Sequence, residues 1–416
     1  MREMKDSGIA WLGLIPADWT CSKQKYVISL INGRAYSDKE FEEDGKYRIL
    51  RVGNLFSNPV WYTSSMELPS EKYCENGDLL YSWSMSYGPV IWIGEKVIYH
   101  YHIWKVNLSS RIDKQFSYYY LMALTNEIRA EVHETTMSFV TMGIMNNSYI
   151  VYPNIYEQRA IATFLDAKCV EIEQIAADIQ SEINTLEEYR SSVISESVTH
   201  GLDSSAQMKE SGAQWNPTIP AHWEMVPSKY LFHDSDLRKQ KSDEQLTASQ
   251  KYGIITQQDY MERENASIVL ANKGLEDWKH VEPYDFIISL RSFQGGLEMS
   301  EVTGCITWHY IVLKPSRPIC HRYYKWLFKS AQYINALQGT CNFIRDGQDL
   351  RFSNFAQVPL FAPPMEEQEA IADYLDQKTA AIDAAIEEKT AQLVTLEEYK
   401  KSLIFEYVTG KKEVPA

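Results

Sequence analysis

The chain has 416 residues, 44% of them hydrophobic and 23% charged, with a formal net charge of −15. That is ample apolar material for two or more cores and excludes a disordered or low-complexity protein, while the acidic total argues against a whole surface built to attract a polyanion. Six cysteines, Cys21, Cys74, Cys169, Cys305, Cys320 and Cys341, stand singly, no run approaches the roughly 20 apolar residues of a membrane span, and the start carries no secretory pattern, so neither disulfides nor a zinc site are expected and the compartment is expected to be cytoplasmic.

In chain order, the first element is an entry segment, KDSGIAWLGLIPADW from Lys5 to Trp19, which recurs as KESGAQWNPTIPAHW from Lys209 to Trp223 at an offset of 204. A first insert follows, with strands expected over Gly77–Trp83 and Pro89–Leu108 from their β-branched and aromatic content, and a helix over Phe116–Val132. Then comes EQRAIATFLDAK, Glu157 to Lys168, returning as EQEAIADYLDQK, Glu367 to Lys378, and LEEYRSSVISESVT, Leu186 to Thr199, returning as LEEYKKSLIFEYVT, Leu396 to Thr409, both at offset 210. Between the repeated blocks the halves differ, yet the order of elements agrees. The second insert predicts strands over Tyr284–Phe293 and Cys305–Pro315 and a helix over Arg322–Leu337; Asp78 aligns with Asp285, and His100, Tyr101 and His102 align with His309 and Tyr310.

The blocks after each insert predict long helices. From Leu165 apolar residues fall seven apart at Ile172, Ile179, Leu186 and Val193, with Ile161, Ile175 and Tyr189 on the flanking positions of a coiled-coil seam; the second copy has Leu375, Ile382, Leu396 and Leu403, flanked by Ile371, Ala385 and Tyr399, with Lys389 and Gln392 as polar interruptions. Asn154 with Glu157 predicts the helix start, and Gly201 and Gly410 predict the stops, giving about 63 Å per helix at 1.5 Å per residue. Because the first helix leaves insert one for insert two and the second leaves insert two, a pair of them must be antiparallel, with a pseudo-twofold axis across its middle and an insert at either end. The C-terminal tail then returns near Trp11 and Trp19.

The expected architecture is α+β: two α/β recognition domains separated by two long antiparallel coiled-coil helices. Its segments are 1–152, 153–201, 202–365 and 366–416. Charge follows this division. Residues 1–152 hold 15 basic against 17 acidic side chains and 208–365 hold 17 against 17, while 153–207 hold 3 against 10 and 366–416 hold 6 against 12. The inserts are nearly neutral and the helices carry the acidity.

No chemistry is legible. There is no GxxxxGK[ST] loop, no glycine-rich fingerprint for a nucleotide cofactor, and no Asn or Asp followed by Pro-Pro-Tyr. Asp44, Gly45 and Lys46 form a carboxylate-x-lysine triplet that arises by chance in most chains of this length. Metal and catalytic residues are therefore expected to be absent from this chain.

The repeated SGIAWLGLIPADW and SGAQWNPTIPAHW, the strand opening NGDLLYSWSMSYGPVIWIGEK, and the PP-x-EEQ-x-AIA-x-YLD helix start resemble the DNA specificity subunit of type I restriction-modification systems. The resemblance runs the whole length, with departures at Pro153–Tyr156, where a Pro-Pro start is usual, and at Asn216–Thr218, where the Leu-Gly pair of Leu12 and Gly13 is not kept. It implies two target recognition domains reading the halves of a split sequence in double-stranded DNA, with the helices as a ruler. It also implies two modification subunits using S-adenosylmethionine to methylate adenine, and restriction subunits using ATP and Mg2+, docked on the acidic helices and entry segments. Two rivals stand beside it: a coiled-coil scaffold bearing protein- or glycan-binding domains, and a nuclease acting alone.

Base reading needs Arg or Lys for guanine, Asn or Gln for adenine, and polar groups for phosphates, in loops beside strands. In the first insert that selects Ser84, Ser86, Tyr87, His102, Thr135, Thr136 and Ser138. In the second it selects Arg291, Ser292, Gln294, Arg345, Gln348 and Arg351. His100 and His102 have a plainer alternative as hydrogen-bonded strand residues, and Arg345 and Arg351 as surface partners of Asp346 and Asp349.

Overall fold

Each half opens on a short hairpin: Met4–Asp6 pairs antiparallel with Leu14–Pro16, and Met208–Ala213 with Asn216–Pro220. The repeated letters account for it. Lys5 and Lys209 each donate from Nζ to the carbonyl of the closing tryptophan, Trp19 at 2.7 Å and Trp223 at 2.6 Å. Both indoles are buried and meet an aromatic ring of the following module edge-on, Phe116 and Tyr323 respectively.

The computed structural model describes residues 2–56, 58–84, 87–132, 140–267, 271, 274–289, 292–340 and 350–415, apart from the side chains of 130–132 and 293–294. The chain divides into two compact units, residues 1–180 with 391–416 and residues 181–390. The division falls inside the long helices, because each helix half shares a core with the module beside it.

In the first unit a four-stranded antiparallel sheet runs in the order Ile28–Asn32, Ile103–Leu108, Leu79–Ser82, Gly88–Ile91. The helix Lys114–Val132 covers it, and Trp104, Tyr81, Phe116 and Tyr120 fill the space between. A second, smaller sheet pairs Tyr47–Leu50 parallel to Val97–Tyr99, flanked by Tyr62–Ser64 and Tyr73–Cys74. In the second unit the strands Phe232–Ser235, Ile311–Pro315, Phe286–Ile288 and Glu298–Met299 follow the same order as the first sheet. The expected helix over Arg322–Leu337 is two, His321–Lys329 and Ala331–Gly339, broken at Ser330, whose extended backbone caps the second. The modules share the strand order of their larger sheet but not of the smaller one, which in the second module is two antiparallel pairs, Leu246–Ser249 with Gly253–Thr256 and Lys279–Val281 with Gly304–Ile306.

The long helices are Ile155–His200, 46 residues, and Met365–Val408, 44 residues, or about 69 and 66 Å at 1.5 Å per residue. Asn154 accepts at Oδ1 from the amides of Tyr156 and Glu157, both at 3.1 Å, as its cap role predicts. Glu157 does something else. It takes Arg2 and the Trp19 indole N–H, fixing the entry hairpin to the helix start; in the second half His222 holds Glu367 at 2.8 Å.

The helices run antiparallel within each unit. In the first, the Phe164 ring packs tilted against Tyr407 at 4.5 Å and Glu173 accepts from Lys400 at 2.7 Å; in the second, Glu182 pairs with Lys389 and Asp383 with Arg190. Rising numbers meet falling ones. Of the expected flanking positions Ile161 and Ile371 are buried and Ala385 is half-buried, but Ile175, Tyr189 and Tyr399 are exposed and are corrected, their places being taken by the buried Cys169, Ile183 and Thr379. The seam alternates by three and four through 169, 172, 176, 179, 183 and 186, so the partners of the seven-spaced residues lie four after them, not three. The tail returns as expected: Lys411 donates to Leu12 O at 2.7 Å, and a Cβ on Gly410 (φ +72°) would strike Pro16 Cδ at 2.5 Å.

Candidate nucleic-acid interface

Each module contains the same brace. Asp78 accepts from Lys105 Nζ at 2.6 Å and from the Glu75 amide at 2.8 Å; Asp285 accepts from Lys314 Nζ at 2.8 and 2.9 Å and from the Glu282 amide at 2.8 Å. Burial pushes the Asp285 carboxyl up although Lys314 pulls it down. The pair locks the loop ahead of one strand to the next strand.

Two further pins tie each module to its helix. Gln158 is fully buried; its Nε2 donates to Arg111 O and Pro153 O, both at 2.9 Å, and its Oε1 accepts from the Asp113 amide at 2.7 Å. Gln368 repeats this with Pro363 O at 2.8 Å and the Cys320 amide at 2.9 Å. Eight residues on, Asp166 accepts from Gln115 and Tyr119, and Asp376 accepts from Arg322 and the Trp326 indole. The repeated EQ and LD letters are thus the module–helix joints.

At the far end of the Leu79–Ser82 strand from Asp78 the first module gathers aromatic and cationic groups. Trp83 donates from Nε1 to Tyr101 O at 2.7 Å and meets the His102 ring edge-on at 4.9 Å, and His100 lies 4.8 Å from His102. Burial, then His102 and Arg51, lower His100 to about 4, so both of its ring nitrogens serve as neutral hydrogen-bonding groups at ordinary pH. The same causes, burial first and then Arg51, lower His102. Ser84 is half-buried, its carbonyl accepting from Ser82 Oγ at 3.4 Å. The Tyr87 ring lies under the Arg129 guanidinium at 4.9 Å. Ser86, Thr135, Thr136 and Ser138 lie outside the described residues.

In the second module Ser292 is a correction. It is buried, and its hydroxyl accepts from the Ser289 amide at 2.8 Å, so it shapes its turn rather than facing outward. Arg351 is exposed at the start of the turn Phe352–Phe355, its amide donating to Asn354 Oδ1 at 3.0 Å. Arg291, Arg345 and Gln348 lie outside the described residues, as does the side chain of Gln294. Trp308, half-exposed, stacks on His309 at 3.5 Å, in the place of the first module's histidine cluster.

Sequence reasoning missed Arg51, Tyr36 and Arg34, which join His100 on the first module. The available signal was cations set close to aromatic letters, Arg34 two before Tyr36, and Arg48 and Arg51 just after Tyr47. Among the described residues no group of His, Cys, Asp and Glu could hold a metal ion, and no helix is long and apolar enough to cross a membrane.

The fold defines a chain of two modules with the same order in their larger sheets, each packed on its own stretch of antiparallel long helices. Residues 16–185 and 220–395 match the family model of the type I restriction modification DNA specificity domain, and the chain belongs to that family. The specificity subunit of the EcoBI type I restriction enzyme of Escherichia coli is 21% identical over 204 residues, 48% of this chain and 43% of that protein. The putative MjaX specificity subunit of Methanocaldococcus jannaschii is 21% identical over 426 residues, covering 97% of this chain and 96% of that one. A solved chain described under complex assembly and conformational transition of the type I R-M system shares the fold with a TM-score of 0.68 at 14% identity, over 96% of this chain and 99% of its own. The family model is one of DNA specificity, a recognition role rather than a catalytic one.

Proposed function

We propose that this chain selects a bipartite duplex sequence, one half per module, and lends the selection to partner subunits that do the chemistry. The observation that carries this is the repetition of supports beneath divergent faces: brace, glutamine and aspartate recur, while His100–His102 of one face becomes Trp308–Tyr310 on the other. Modules that performed one reaction would have kept their faces alike.

The partners are two modification subunits, which use S-adenosylmethionine to methylate adenine, and restriction subunits, which use ATP and Mg2+. They dock on the acidic helix faces and entry hairpins, one modification subunit to each half. The nearly neutral modules avoid repelling the duplex, and the acidity sits where protein is to bind. The test is a map of methylated adenines in cells that express the chain with its modification subunit, repeated after residues 224–360 are exchanged for the corresponding module of a relative. One half of the methylated motif is expected to change and the other to persist. A motif altered in both halves, or in neither, would refute the proposal.

A further inference from the structure

On the first module the rings of Tyr36, Phe41, Tyr62 and His100 and the side chains of Asp38 and Arg51 surround a cavity of about 220 Å³ floored by the buried Ile49. Phe41 and Tyr62 stack at 4.4 Å on one side; Tyr36 and His100, 6.4 Å apart and 28° from parallel, form another pair. The arrangement is held from behind. A Cβ on Gly33 would lie 2.3 Å from His100 O, so only glycine lets the segment carrying Tyr36 come this close to the strand end carrying His100.

The polar groups are unspent. The Tyr36 hydroxyl is buried without a hydrogen-bond partner, and an unmade bond of that kind costs free energy that a ligand atom recovers. Burial raises its pKa, so it is available as a donor. The Arg51 guanidinium lies over the Tyr62 ring at 5.0 Å, and among the described residues no carboxylate pairs with it. Ring-lined cavities also suit organic cations, but here Arg51 covers Tyr62 and Arg34 covers Tyr36 at 5.2 Å, so positive charge already occupies those faces. A flat, hydrogen-bonding ring with an anionic tail fits both features.

We infer that this cavity receives one unstacked nucleobase, held between the aromatic rings and hydrogen-bonded by Tyr36 and His100, with its phosphate at Arg51. The inference rests on the DNA-reading proposal and adds to it a site that takes a base out of its stack. The base comes either from a duplex or from a free nucleotide.

The full chain is titrated with a duplex carrying a single-base bulge, with the same duplex fully paired, and with the four deoxynucleoside monophosphates, in the wild type and in Tyr36→Phe and Tyr62→Ala. Tyr36→Phe keeps the ring, and Tyr62 is at the surface, so both variants are expected to fold. The bulged duplex should bind more tightly than the paired one; Tyr62→Ala should weaken it about 5- to 150-fold, and Tyr36→Phe about 2- to 10-fold. Monophosphate binding that falls in both variants, without a bulge preference, identifies the free nucleotide as the source and keeps the site. No bulge preference and no monophosphate binding, or either one unchanged in both variants, overturns the inference. The methylation map of the wild-type complex reports separately on the DNA-reading proposal.

Discussion

Gln158 and Gln368 occupy the same place in the two halves, each buried, with amide atoms engaged by backbone at the joint between module and helix. Gln158→Leu keeps the bulk and strands the Arg111 and Pro153 carbonyls and the Asp113 amide. A loss of about 2–3 kcal/mol is expected, read as a lower urea midpoint of the first unit, with Thr163→Ser on the exposed face of the same helix as the neutral control. His100 gives a pH signature. Its folded pKa of about 4 lies below the ordinary 6.5, chiefly through burial, so the unfolded chain takes up the proton first. That contribution to stability is full above about pH 6.5 and drains away as pH falls toward 4. NMR titration should show the His100 ring neutral at pH 5.5, and a midpoint near 6.5 would contradict the burial. The braces were half legible at this scale: Asp78 and Asp285 align in sequence, but their lysines sit on another strand and only folding brings them in.

At the scale of elements, the sevenfold spacing from Leu165 revealed the long helices but not which neighbours complete the seam. At about 100° per residue, the positions three and four beyond a seam residue fall about 60° to one side and 40° to the other. Ile175 and Ala176 are both apolar, and so the letters leave the choice open; packing resolves it, burying Ile183 and exposing Ile175. Ile183→Ala is therefore expected to cost about 2–4 kcal/mol, and Ile175→Ala about 0.5 kcal/mol or less. Thermal melts of the two variants measure the contrast, and equal losses would contradict the seam described. The seam also holds charge. Glu173–Lys400 and Asp383–Arg190 are the same pair at offset 210, whereas Glu182–Lys389 has no such twin, because Ile179 stands where Lys389 would recur.

For the molecule as a whole, the duplicated blocks made the α+β plan, the antiparallel helices and the family readable before any coordinates. The proposed reading surface was not readable in the same way, because its residues are separated letters. Arg34, Arg51 and His100 meet only through a parallel strand pair and a glycine contact, while Ser292, which looked like a loop donor, lies inside. Under the proposed function, one heptad inserted after Ile179 with another after Lys389 adds about 10 Å of helix, or about three base pairs of duplex. The methylated motif should keep both halves and gain about three unread bases between them; a changed half with an unchanged gap would count against a helical ruler. Duplex binding by the assembled complex should also weaken steeply with added salt while sequence preference persists.

The lysine–aspartate brace carries a practical consequence for anyone wishing to retarget this protein. A grafted module that brings a foreign surface but omits the equivalents of Asp285 and Lys314, or the donors that meet Gln368 and Asp376, would arrive without its mountings. Engineering should treat those few side chains as the socket and vary only what projects beyond them.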